Sequence, residues 1–273
     1  MGTETPADNV YAQEGHVEGE RLRIQARTWE PEAEAMLDQI GLRPGSSCVD
    51  LGCGAMGIVG PLARRVGPAG RVIGVDKDQR LLDVAAEYLK QEGLTNVQLL
   101  NLDAYDTGLA AGTFDFVHER LVFCPAGAAD LLLGEMLRLA KSGGVVAVQE
   151  PDPDSWHLHP RSEAWENLLR VTESYISMVG GDPRAGQKTF GLLRKAGLSN
   201  VKIRAAVKAL QDGHPYMSMA LFALRLMRDA VLDARIISEP ELDRIITDVE
   251  TRLRDPCSYM TTFTITQVWG VKH

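Results

Sequence analysis

The chain has 273 residues, 45% hydrophobic and 24% charged, with a formal net charge of -8 and a sequence pI near 5.3. That length suits one sizeable core, or a core with a small cover. The acidic balance, with no Lys/Arg cluster, argues against nucleic acid or an anionic membrane surface as partner.

The opening MGTETPADNV has no cationic segment leading into an apolar stretch, so no secretion signal is expected. Pro6 stands where N-myristoylation would need Ser or Thr. Cys48, Cys53, Cys124 and Cys257 form no CxxC pair and have no paired His spacing. A reduced, cytoplasmic protein without disulfide framework or zinc site is therefore expected. No apolar run approaches the roughly 18 residues of a membrane helix.

Residues 1–17 are mostly polar. From Glu18 to Ile40 apolar residues recur at helical spacing (Leu22, Trp29, Ala33, Met36, Leu37), which predicts two helices broken near Pro31 and ending at Gly41. Short apolar runs then follow at 47–51, 71–75, 97–101, 114–118 and 144–149. Helical segments alternate with them near 57–66, 78–92, 127–141 and 161–179. This rhythm predicts an α/β fold with a mostly parallel sheet covered on both faces. Further strands are expected near 200–208 and over 259–272. Between them two helices are predicted, Met217 to Ile236 and Glu239 to Arg254, the second opened by a Ser238/Glu241 capping box. The expected organisation is a single domain. Residues 1–40 form a helical cap, 41–208 and 259–273 the core, and 209–258 a helical lid insertion.

Residues 48–58, CVDLGCGAMGI, carry a strand into GxGxxG, with Asp50 two places before the first glycine. A glycine turn that opens a helix presents backbone N–H groups to a ligand. Asp76 ends the next strand, where a carboxylate can grip a ribose diol. Asp103 ends the strand after that. In a nicotinamide enzyme a pyrophosphate would lie over these glycines. Asp50 at about 4 Å from it would cost on the order of 4 kcal/mol per charge pair at an effective dielectric of roughly 20. A ligand bearing an ammonium and a sulfonium reverses the sign.

VDLGCGAMG, IGVDKD, NLDA, FDFVHERLVF and SGGVVAVQEPD resemble successive motifs of the class I S-adenosylmethionine-dependent methyltransferases. The similarity covers roughly residues 18–208 and the closing strand. It lies with the small-molecule branch that is similar to ubiquinone and menaquinone biosynthesis enzymes and recurs in natural-product pathways. The resemblance implies a Rossmann-like seven-stranded sheet with an antiparallel last strand, and S-adenosyl-L-methionine as cofactor. It implies that Asp50, Gly52, Cys53 and Gly54 line the methionine moiety. Asp76 would take the ribose, with Lys77 beside the adenine, and Asp103 and Ala104 would meet the adenine. Glu119 and Arg120 would lie near the sulfonium, and Tyr11 and Gln25 would close over the cofactor.

Methyl transfer needs alignment and water exclusion more than covalent help, though a hydroxyl acceptor benefits from a base. His118 and Glu119, at the end of the fourth strand, are the catalytic candidates; His118 is equally readable as a packed residue. EPDPDSWHLHP (150–160) gathers acids with His157 and His159. It reads as a solvated loop bordering the acceptor rather than a metal site, since its spacing matches no ligand set. Arg184, in GGDPRAGQKTF, can hold an anionic acceptor or brace its loop. Trp156, His157, Tyr175, His214 and Tyr259 are the remaining acceptor-site candidates, each also readable as core or surface.

The expected function is methyl transfer to oxygen or nitrogen, less readily carbon, of a small-molecule acceptor, in a closed pocket that suits neither proteins nor nucleic acids. The alternative keeps the cofactor as a fixed positive charge promoting cyclisation or rearrangement. A homodimer is compatible with the resembled family. The acceptor itself is not written in the sequence.

Overall fold

In the computed structural model residues 15–273 are described, with side chains from Glu18 on. Helix α1 (Gly15–Ile40) carries Pro31 inside it, in place of the two helices expected. Proline forfeits one helical hydrogen bond. Trp29 before it and Ala33, Met36 and Leu37 after it are all fully buried, which holds both halves against the core.

The main sheet has seven strands: β1 (Ser47–Leu51), β2 (Arg71–Asp76), β3 (Val97–Asn101), β4 (Phe114–Arg120), β5 (Ala140–Asp152), β7 (Ser199–Ala206) and β10 (Thr264–Val271). Their order is β3-β2-β1-β4-β5-β10-β7. Strands β1 to β5 pair in parallel, and β10 runs antiparallel to both neighbours. The mostly parallel sheet with an antiparallel last strand is as expected. Every residue of β1 is buried, as befits a strand covered on both faces.

One face is covered by α1 and by α2 (Val59–Val66) and α3 (Gln79–Gln91), which enclose Cys48, Leu62, Leu82 and Phe116. On the other face, α5 (Ala129–Leu139) and α7 (Ala185–Lys195) enclose Val49, Val117, Met136 and Leu193. A short α4 (Phe123–Ala126) follows β4. The chain starts at β1, builds outward to β3, then returns to β4 on β1's other side. The strand order therefore reverses between β1 and β4, where α/β sheets open a ligand crevice at their carboxyl ends.

After β7 come a 3₁₀ turn (Pro215–Ser218) and three helices: α8 (Met219–Leu226), α9 (Arg228–Asp233) and α10 (Glu239–Leu253). The helix expected over Met217 to Ile236 is thus divided in pieces. At the start of α10, Glu241 Oε2 accepts from Ser238 N at 3.4 Å, completing the capping box. These helices share a third core with α6 (Glu163–Met178) and Trp29 of α1.

A second sheet was not expected. It joins β6 (His157–His159), β9 (Tyr259–Thr261) and β8 (Ala209–Gln211) in the order β6-β9-β8, all antiparallel. It divides the closing strand in two. Among the described residues no helix is long and apolar enough to cross a membrane.

Candidate functional site

The glycine turn sits at the carboxyl end of β1, beside the point where strand order reverses. Gly52, Gly54 and Gly57 all take positive φ, at 69°, 52° and 47°, which favours residues without a Cβ. Space demands glycine as well. A Cβ on Gly52 would stand 2.5 Å from Val122 Cγ2, and one on Gly57 would stand 2.2 Å from Asp50 Oδ2.

Asp50 is only 1% exposed, under this turn. Its Oδ2 accepts from Ile58 N at 2.8 Å, and its Oδ1 lies 2.7 Å from His118 Nδ1. The acid beside the glycines thus shapes the turn from beneath. Asp76, at the end of β2, holds the turn from the side: Oδ2 accepts from Gly54 N and Oδ1 from Asp78 N, at 2.8 and 2.9 Å. Burial pushes the Asp76 carboxyl upward, against the lowering effect of those N–H groups.

His118 belongs to a polar line crossing five adjacent strands. Arg204 Nη1 donates to Gln267 Oε1 at 2.6 Å, Gln267 Nε2 donates to Gln149 Oε1 at 2.6 Å, and Gln149 Nε2 meets His118 Nε2 at 2.8 Å. Arg204 can only donate, so it sets the direction of every later bond. His118 Nε2 accepts, and Nδ1–H donates to the Asp50 carboxylate. The imidazole is neutral, since its full burial lowers its pKa against the raising effect of Asp50. Both ring nitrogens are engaged. At the far end of the line Arg204 Nη2 and Lys208 Nζ bind Glu32 of α1.

Arg120 closes β4 and is 8% exposed. Its Nη2 donates to Gly57 O at 2.8 Å, while Nη1 is buried with no hydrogen-bond partner. The phenol of Tyr216, bonded to Trp29 Nε1 at 3.0 Å, and the carboxylate of Asp50 act on its charge.

Glu119 faces the opposite side of the sheet. Its Oε2 accepts from Val122 N at 3.1 Å. Glu150 at the end of β5, absent from the residues singled out in the sequence, accepts from Phe123 N and Cys124 N at 2.8 and 2.9 Å. The two carboxyls interact directly, and both are fully buried.

Asp103 and Ala104 stand in a turn where Asp103 Oδ1 accepts from Tyr105 N at 2.9 Å. Lys77 is exposed, and its carbonyl accepts from Asn101 Nδ2. Gln25 Oε1 accepts from Arg21 on α1. Cys53 is buried and its N–H donates to Val75 O. Tyr11 lies outside the described residues.

The acceptor-site candidates do not converge. Trp156 and Tyr175 join the third core, Trp156 edge-on to Trp165 and Phe263. His157 and Tyr259 lie on the other face of the small sheet, where Tyr259 is 46% exposed and stacks on His159. His214 caps the 3₁₀ turn by accepting from Tyr216 N at 3.2 Å. Arg184 is exposed and bonds Glu173 and Asp154, bracing its loop. Among the described residues no group of three metal-ligating side chains is assembled.

Residues 42–205 match the model of a methyltransferase domain. The nocamycin O-methyltransferase of Saccharothrix syringae is 30% identical over 134 residues, 48% of this chain and 48% of that protein. The demethylmenaquinone methyltransferase of Geobacillus sp. is 31% identical over 203 residues, 66% of this chain and 84% of that one. The chain spans about half the length of the first curated relatives it matches. Among solved structures, phosphoethanolamine N-methyltransferase 2 of Haemonchus contortus, in complex with S-adenosyl-L-methionine, shares the fold with a TM-score of 0.52. It is 19% identical, and the match covers 87% of this chain and 51% of that one. With the glycine turn, the reversal of strand order and the antiparallel β10, the matched 42–205 segment shows that the chain belongs to the methyltransferase domain family.

Proposed function

We propose that the protein uses S-adenosyl-L-methionine to methylate an oxygen or nitrogen, less readily a carbon, of a small-molecule acceptor. The observation that carries this reading is the acid-lined glycine turn. Asp50 lies beneath it and Asp76 beside it, so the crevice disfavours a pyrophosphate and suits a cationic sulfur nucleoside. The bound cofactor supplies an activated methyl group on a sulfonium.

The residues fit such a group. The positive-φ glycines Gly52 and Gly54, on either side of Cys53, would carry the turn's backbone around the methionine end of the cofactor. The buried, unpartnered Nη1 of Arg120 matches an anionic end such as the methionine carboxylate. Asp76, already at hydrogen-bonding distance from the turn, would turn an oxygen toward the ribose hydroxyls. Lys77, Asp103 and Ala104, at the ends of β2 and β3, would border the adenine. Gln25 on α1 would close the crevice, and the helical insertion would act as its lid.

His118 has no free nitrogen for a proton from the acceptor. We infer that it fixes Asp50, and that the protein works chiefly by aligning acceptor and methyl while excluding water. Trp156 and Tyr175, in the core shared with the insertion, are the acceptor-site candidates this reading favours. The small-molecule preference is supported by the relatives' names and the net charge of -8. The free cysteines fit a reducing cytoplasm.

Calorimetry with S-adenosylhomocysteine and with NADH tests the cofactor; binding of NADH alone would overturn the reading. Methyl-labelled cofactor incubated with phenols and amines then tests transfer. Turnover that leaves no label in the product would favour the cyclisation alternative instead.

A further inference from the structure

Four consecutive N–H groups after β4 are claimed by β4 and β5. Leu121 N donates to Gln149 O at 2.9 Å, Val122 N to Glu119, and Phe123 N and Cys124 N to the two oxygens of Glu150. Leu121 is held at a φ of 59°, a conformation a leucine rarely takes. The consequence is at Val122, whose side chain is pressed against Gly52 so closely that no Cβ fits there. This loop is a wall of the glycine turn, and two carboxyl groups hold it.

Two fully buried carboxylates side by side cannot both stay ionised. Both oxygens of Glu150 are accepting from N–H groups, which favours its charged form. Oε1 of Glu119 is buried without a partner. A proton on that oxygen, donated to Glu150, satisfies it and removes the repulsion.

We propose that Glu119 and Glu150 form a one-proton latch: with the proton between them they hold residues 121–124 against the glycine turn, and its loss frees the loop and weakens the cofactor. The coupling to the cofactor rests on the reading above; the shared proton does not. Glu119 and Glu150 are then positioning residues. Burial and the facing carboxylate push Glu119 well up, and burial raises Glu150 to about 7. The surrounding charges act in both directions. Asp50 on β1 adds negative charge to Glu119, opposed by Arg120 on β4. Tyr105 and the Cys124 thiol, both raised by burial, stay neutral; Asp103 acts on Tyr105, and Asp182 and Glu173 on Cys124.

Glu119→Gln keeps a donor toward Glu150 but has no proton to lose. Glu150→Gln replaces one accepting oxygen with an NH₂ group that cannot accept. Infrared spectra of the ligand-free wild type at neutral pH should show the band of a protonated carboxyl, and Glu119→Gln should lack it. S-adenosylhomocysteine affinity in the wild type should fall as pH rises through the raised range in which Glu119 gives up the shared proton, at up to tenfold per pH unit for one proton. Glu119→Gln should flatten that profile. Glu150→Gln should bind about tenfold more weakly than Glu119→Gln at low pH, the scale of one lost hydrogen bond to a charged group. A wild type without the band, or a Glu119→Gln profile that tracks the wild type, overturns the latch even if the cofactor binds. A wild type that keeps the band and takes up no S-adenosylhomocysteine overturns the coupling, together with the cofactor reading.

Discussion

Gly57 leaves the space that Asp50 occupies: a Cβ at position 57 would stand 2.2 Å from Oδ2 of Asp50, the oxygen that accepts from Ile58 N. The turn and the acid beneath it are therefore one unit. Gly57→Ala must move the carboxylate and also place an alanine at a φ of 47°. The conformational part costs about 1–2 kcal/mol, and displacing a bonded carboxylate adds to it. Thermal unfolding should show at least this loss, and S-adenosylhomocysteine affinity should fall at least tenfold. A variant with wild-type melting and binding would mean the turn relaxes freely.

The turn was legible in the sequence because it is local. Asp50, Gly52, Gly54 and Gly57 lie within eight residues, and a strand running into them leaves few alternatives. The alternation of apolar runs with helical segments likewise carried the sheet. What stayed hidden depends on register between distant segments. Glu150 reads as one acid in a loop until β4 and β5 align and bring it to Glu119. Gln149 and Gln267 read as ordinary polar residues until β5 and β10 pair them directly. The three-residue strands β6, β8 and β9 are too short for any periodicity, so nothing foretold that His157 and Tyr259 would face away from Trp156 and Tyr175. Pro31 suggested a break because local propensity favours one, and burial on both sides overrode it.

Asp76 makes two backbone hydrogen bonds at the end of β2. Asp76→Ala should weaken cofactor affinity by about 2 kcal/mol, the scale of losing hydrogen bonds to a charged group. Asp76→Asn keeps one acceptor and should fall between wild type and Asp76→Ala. Affinity by calorimetry checks both, and an unchanged value for Asp76→Ala would remove the residue from the site.

His118 should be neutral and protonated on Nδ1 at neutral pH, because burial lowers its pKa and Gln149 occupies Nε2. Nitrogen chemical shifts of the labelled ring report this directly. His118→Ala leaves the Asp50 carboxylate and the Gln149 amide short of a partner. It should lower stability by about 3 kcal/mol. The decisive readout is the pH profile of kcat, which should keep its shape in a folded His118→Asn variant. A wild-type inflection that disappears in that variant would make the residue a base.

The polar line has its own test. Gln267→Leu removes the donor to the fully buried Gln149 and the acceptor of Nη1 of Arg204, which on the edge strand β7 keeps only Glu32. The cost should be about 1–3 kcal/mol, read from urea unfolding. Because the line ends on Asp50, cofactor affinity should fall too, although Gln267 lies two strands from His118. A stability loss with unchanged affinity would confine the line to the fold.

Glu119 and Glu150 also set a trend of stability with pH. Both are raised above their unfolded value, so their contribution is fully present below about pH 4.3 and declines as pH rises through the folded value, about 7 for Glu150. Carboxylates with lowered values, such as Asp115 beside Lys141 and Glu135 beside Arg138, act oppositely and lose their contribution as pH falls. The wild-type curve alone mixes the two. Subtracting the Glu119→Gln curve isolates the pair: the wild-type melting temperature should decline relative to the variant between about pH 5 and about pH 8. Parallel curves over that window would mean that both carboxyls are ionised throughout and that no proton is shared.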